Sequence, residues 1–333
     1  MPRAALFLAL ALAACSRSSA PAPAPIPEPA PSLTPAPAPS LTLAPTPSPA
    51  RPCRSLADRT AEAQSLYGPS IHLATVDGTF LYVDPDHSPL FEASLRFAAG
   101  VLAALRNDRI ALHELCPVSV YVYSSGQSLR DHGRSLHYIA ETGRNLGLYD
   151  RARGEIVVDL TEGPTHLPTQ AHELAHVLMD ADWRLMDADR EAPLWFRECV
   201  ASLYESPVPD EPPGVIHGQD DWRYIQLREA VRAQNPEVHL GALFGMSDAG
   251  FRGKSDAGDV DGTRSLLHRG MARAACQWLD GKGKDQLWPF YRAWRDAGAA
   301  DPDGVAAFTR VTGQAPTAPE VDAAWRAWVL RTR

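Results

Sequence analysis

The chain has 333 residues and carries 32 Lys and Arg against 40 Asp and Glu, a formal net charge of −8 at pH 7. The charges are mixed along its length with no basic run, which excludes nucleic acid and anionic membrane surfaces as electrostatic partners. No GxGxxG or P-loop pattern occurs, so nothing supports a nucleotide partner.

The first stretch, "MPRAALFLALALAAC", has one basic residue, Arg3, and then an apolar run of about eleven residues, too short to span a bilayer as a helix. The small residues before Cys15 resemble the lipobox of bacterial lipoproteins. That resemblance implies a signal peptide over 1–15, a lipid on Cys15 as the link to a membrane, and a bacterial envelope location, at the outer membrane or its periplasmic face. Residues 16–52 are a Pro/Ala-rich tract without the apolar residues for a core. They read as a polyproline-like tether, and at ~3.1 Å per residue they reach roughly 100 Å.

From Cys53 onward about 280 residues remain, enough for a sizeable core. "IHLATVDGTFLYVDPD" reads as a hairpin broken at Asp77-Gly78. "LFEASLRFAAGVLAALRND" has helical spacing, and "CPVSVYVYSS" alternates like a strand. "GQSLRDHGRSLHYIA" reads as a helix, and "GLYDRARGEIVVDL" as a second hairpin turning at Gly154. Pro164, Thr165, Pro168 and Thr169 are helix-start residues. After Pro193 the pattern is mainly helical, in "LWFRECVASLYES", "DWRYIQLREAVRAQ", "SLLHRGMARAACQWLDG", "QLWPFYRAWRDAG" and "VDAAWRAWVLR". The stretch "GMSDAGFRGKSDAGDVDGTRS" reads as loop, and its "DAGDVDG" lacks the acidic spacing of a calcium loop. The expected organisation is α+β: a lobe over 53–193 with a small mixed sheet, then a helical lobe over 194–333.

The helix "QAHELAHVLMDADW" carries His172 and His176 four residues apart. That spacing rotates by about 40° and rises about 6 Å, so both imidazoles leave one face and can hold one ion. Glu173, rotated by about 100°, is poorly placed as a third ligand but can face a water on the metal. Zinc acidifies such a water enough for a carboxylate to take its proton near neutral pH. Twenty-two residues past His176, Glu198 lies in "PLWFRECVASLYE" among Trp195, Phe196, Val200 and Ala201. A carboxylate on so apolar a helix is costly unless it is paired or bound to metal. Its rivals as third ligand are Asp182, Glu191 and Glu205; the plain alternative is a salt bridge to Arg197 or Arg223.

"HELAH", about twenty residues, then "W-F-x-E-x-x-A" resembles the gluzincin metallopeptidases, the thermolysin-like clan, and its small bacterial envelope members above all. The likeness covers roughly residues 117 to 330. It implies a zincin-like fold, one Zn2+ held by His172, His176 and Glu198, Glu173 as general base, and a peptide or protein substrate. It also implies that "EIVVDL" is the edge strand on which an extended peptide pairs. Relatives stabilise the oxyanion with a downstream Tyr or His. His268 sits about where that residue belongs, with Tyr224 and His239 as rivals. The longer metzincin pattern is excluded, because Met179 and Asp182 stand where it needs Gly and His.

The family usually has glycine where this chain has Cys199. That cysteine fits a modest gap, a disulfide, or a position close enough to disturb the metal, even as an inhibitory fourth ligand. Four cysteines besides Cys15 (Cys53, Cys116, Cys199 and Cys276) allow two disulfides in three pairings. Trp325 and Trp328, three apart, have core spacing rather than that of a sugar platform. The reading from sequence is a zinc-dependent envelope peptidase; the alternative is a catalytically silent relative acting as a binding or scaffold lipoprotein.

Overall fold

The alternating run after Cys116 forms the centre of a five-stranded mixed sheet. β1 (His72–Val76) and β2 (Phe80–Asp84) make the first hairpin. Its turn holds Asp77 and Gly78 at φ +59° and +64°, the left-handed region that Asp tolerates and Gly adopts freely. In β3 (Val118–Tyr123), Val118, Val120 and Val122 point to one face while Tyr121 and Tyr123 point to the other, the two-residue period of a strand covered on both sides. β4 (Gly147–Asp150) and β5 (Glu155–Asp159) form the second hairpin. The spatial order is β1-β2-β3-β5-β4, with β3 parallel to both β2 and β5.

This order corrects one expectation. β5, the "EIVVDL" strand, lies between β3 and β4, so the edge is β4, antiparallel to its neighbour. The more apolar arm of the hairpin takes the buried position, and the arm "GLYD" is left outside.

The computed structural model describes residues 53–108, 110, 115–135, 147–161, 163–184, 190–205, 222–253, 262–281 and 284–331. Residues 1–52, expected from sequence to be signal and tether, and nearly all of "DAGDVDG" fall outside them. Two helices cover one face of the sheet: α1 (Leu56–Tyr67), which the sequence reading missed despite its Ser55–Asp58 capping box, and α3 (Gly126–Ser135). The other face packs on α2 (Phe91–Asp108) and α4 (Leu167–Arg184). Thereafter the chain is helical: α5 (Leu194–Ser202), α6 (Trp222–Arg232), α7 (Leu240–Phe244), α8 (Asp248–Phe251), α9 (Gly262–Asp280), α10 (Leu287–Ala297), α11 (Val305–Thr312) and α12 (Pro319–Arg331). α8 lies within a stretch expected to be loop; Ser247 caps it by accepting from the Gly250 N–H.

One hydrophobic core runs from Val120 and Ile156 on the sheet through Leu174 and Leu178 on α4 to Trp195, Phe196, Phe290 and Trp294 in the helical region. Trp325 is fully buried in it. Disulfides join Cys53 to Cys116 and Cys199 to Cys276, settling the pairing. No helix among the described residues is long and apolar enough to cross a membrane.

On the α1/α3 face the Tyr123 hydroxyl lies 2.7 Å from that of Tyr67, which lies 2.5 Å from Nδ1 of His132. Burial, with the Arg153 charge adding to it, pulls His132 down to about 4, against about 6.5 in an unfolded chain. A histidine whose folded pKa is lowered supports the fold above about pH 6.5 and withdraws that support as pH falls towards 4. Between pH 7 and pH 5, wild type is therefore expected to lose about 2 kcal/mol more stability than His132→Gln in urea unfolding.

Candidate metal centre

α4 is locked before its histidines begin. The buried Gln170 amide donates to Tyr82 Oη on β2 at 2.7 Å and to the Ser94 carbonyl on α2 at 3.1 Å, while its oxygen accepts from Ser94 Oγ at 2.6 Å. With that face against the sheet, His172 and His176 project together from another. Their Nε2 atoms stand 3.0 Å apart, with the rings nearly perpendicular at 85°.

α5 brings the third group. Trp195 and Phe196 anchor its first turn in an aromatic cluster with Phe290, Tyr291 and Trp294. The Cys199–Cys276 disulfide joins its middle to α9. Glu198, beside that cysteine, places Oε2 at 3.6 Å from His172 Nε2 and Oε1 at 3.5 Å from His176 Nε2. All three donor atoms lie within 4.8 Å of one another. Two donors on one zinc at about 2.05 Å are roughly 2.9–3.4 Å apart for angles from 90° to tetrahedral. The 3.0 Å pair falls inside that range and the carboxylate contacts just beyond it, so two imidazoles and a carboxylate fit a divalent ion.

Glu205 lies outside the three-donor cluster and backs one of its members. Its carboxylate accepts from His172 Nδ1 at 2.6 Å and is itself held by Arg223 at 2.7 Å. An imidazole bound to carboxylate through one nitrogen presents the other, correctly oriented, to a metal. Glu198 pairs with neither Arg197 nor Arg223 but with Arg269 on α9, at 2.8 Å. Glu191 is taken by Arg151 and Arg197, and Asp182 by Tyr291 and Arg295, so neither rival joins the cluster. Cys199, held in its disulfide, is no fourth ligand.

At His172, Glu198 and Glu205 burial opposes charge, and mutual pairing overrides it. Despite desolvation, Glu198 and then Glu205 hold His172 up at about 10. Glu205 is held at about 2 against its burial by His172 and Arg223, and Glu198 well below the usual carboxylate range by the two histidines and Arg269. Glu173 behaves differently. It is 7% exposed, makes no ion pair among the described residues, and its pKa is raised by burial, against the pull of both histidines.

Glu173 also faces the sheet edge. A Cβ built on Gly147 of β4 would fall 2.4 Å from Thr169 Cγ2 and 3.2 Å from Glu173 Oε1. Only glycine lets the edge strand approach α4 this closely, and the approach sets the Glu173 carboxylate beside the start of β4.

The downstream candidates have local partners of their own. His268 is buried, stacked on Phe251 and 3.3 Å by Nδ1 from its carbonyl. Tyr224 donates to Gln277, and His239 precedes α7 as its N-cap residue. None is among the donors of the cluster; the α9 residue that reaches it is Arg269. The sequence reading missed the roles of Arg269 and Glu205. For Glu205 a signal existed in the helical pattern, where the seven residues from Glu198 are about two turns, although α5 itself ends at Ser202.

Replacing Glu205 by Gln keeps all three donors but removes the charge behind His172. Metal affinity is expected to fall about 10–100-fold in competition with a chromophoric chelator.

No protein-family model matches the chain, and no curated protein matches it.

Proposed function

We propose that this chain is a zinc-dependent peptide-bond hydrolase of gluzincin type with a zincin-like fold. The observation that carries the reading is the convergence of His172, His176 and Glu198 beside a buried carboxylate, Glu173, that is not one of the donors. Bound there, zinc would supply a Lewis acid that polarises the scissile carbonyl and acidifies water.

The chain's own residues do the rest. His172, kept in orientation by Glu205, His176, and Glu198, steadied by Arg269, would hold the ion. Glu173, with its pKa raised by burial, accepts a proton and passes it to the leaving amine. β4 offers an antiparallel edge on which an extended peptide pairs beside Glu173. His268 is given no catalytic step in this reading, and Arg269, 37% exposed, is the cation that meets developing negative charge.

The two disulfides support an oxidising compartment. With the lipobox-like end at Cys15 and the proline-rich tract, they support a bacterial envelope location, the domain being tethered through lipid. Metal analysis of the purified chain, and cleavage of a peptide library by wild type and Glu173→Ala, test the reading. A silent scaffold would bind the ion and cleave nothing.

A further inference from the structure

Two exposed histidines at the sheet edge opposite β4 repeat the geometry of the His172–His176 pair. His72 opens β1, and His87 lies in the turn beyond β2. Nδ1 of His87 stands 2.8 Å from Nε2 of His72, with ring centroids 4.1 Å apart and planes at 87°. In the His172–His176 pair the nitrogens are 3.0 Å apart, the centroids 4.6 Å and the planes at 85°. The parallel extends behind the rings. Asp84 Oδ2 lies 3.4 Å from Nδ1 of His72, as Glu205 lies against Nδ1 of His172. Asp84 is itself fully buried and fixed by the backbone N–H groups of Ser88 at 2.7 Å and Asp86 at 3.2 Å.

The pair is open to solution, the His72 side chain being 51% exposed, while Phe91 walls one side with its ring centroid 5.9 Å from that of His72. A hydrogen bond between two water-exposed imidazoles gains little over their bonds to water. It gives weak reason for His87 to hold φ at +53°, in the left-handed region, with its ring edge turned to His72. A shared cation gives a stronger one, because it would engage both nitrogens, 2.8 Å apart, at once.

We propose that His72 and His87 form a second metal site, for a divalent transition ion of imidazole preference such as Cu2+, Ni2+ or Zn2+. The two nitrogens are the ligands and water completes the shell. Asp84 is the positioning residue: it stands on the far nitrogen of His72 and so orients the ring rather than touching the ion. This site is independent of the hydrolase reading.

The test is calorimetric titration of the full, untagged chain, stripped by chelator, with Cu2+ and with Zn2+. Wild type should take up two ions. His72→Gln and His87→Gln should each lose one and keep the other, while His176→Ala loses the α4–α5 ion and keeps this one. Asp84→Asn should keep both ions but bind this one about 10–100-fold more weakly. Both glutamine variants alter exposed side chains; circular dichroism confirms their folding, and either one alone decides the question. Unchanged ion number and affinity in either folded glutamine variant overturns the second site, and loss of an ion in His176→Ala alone leaves the first centre standing without it.

Discussion

Glu173→Ala is expected to keep its zinc and lose peptide cleavage, with the rate on a responsive peptide falling on the order of 10²–10⁴-fold. Glu173 lies outside the three donors, so removing it leaves the ion's contacts intact and removes only the proton acceptor. Its burial raises its pKa, which makes it a better acceptor near neutral pH than an exposed carboxylate. Glu173→Gln sharpens the test, because it keeps the volume beside Gly147 and Thr169 while deleting the basic group. Metal content by mass spectrometry and turnover of a fluorogenic peptide library separate the two effects. Cleavage at the wild-type rate by the Gln variant would remove Glu173 from the chemistry.

The second large effect is expected at Glu198. Glu198→Ala deletes one of three donors, which should weaken zinc binding by roughly 10²–10³-fold if the donors share the binding energy comparably. The damage spreads beyond the ligand. Arg269 loses its 2.8 Å partner, and His172 loses the carboxylate that does most to hold up its pKa. Glu198→Asp keeps the charge but shortens the reach by one methylene, so it should recover part of the affinity and little of the activity. Equilibrium dialysis with zinc buffers measures both variants. If the alanine variant binds the ion as wild type does, the third donor is not Glu198 and the hydrolase reading loses its centre.

What the amino-acid order determined by itself was local. The four-residue spacing of His172 and His176 needs only a helix to bring both rings to one face, and the alternation in "VSVYVY" needs only a strand. The apolar setting of Glu198 marked a carboxylate that had to find a partner. The pattern read from sequence, a small mixed sheet followed by helices, likewise follows from two short periodicities acting within single elements.

Tertiary structure decided everything that joins distant segments. It paired β5 with β3 and left β4 at the edge, a choice governed by which arm buries more apolar surface. It brought Arg269, seventy-one residues from Glu198, onto that carboxylate, and turned neighbouring His268 towards Phe251. It closed Cys199 on Cys276, across seventy-seven residues. It also set His72 against His87, which no helical spacing connects. Neighbouring residues on a helix point in different directions, so which of His268 and Arg269 meets the site depends on how α9 rolls against α5. That roll is set by packing across the whole core and leaves no mark on the local order of residues.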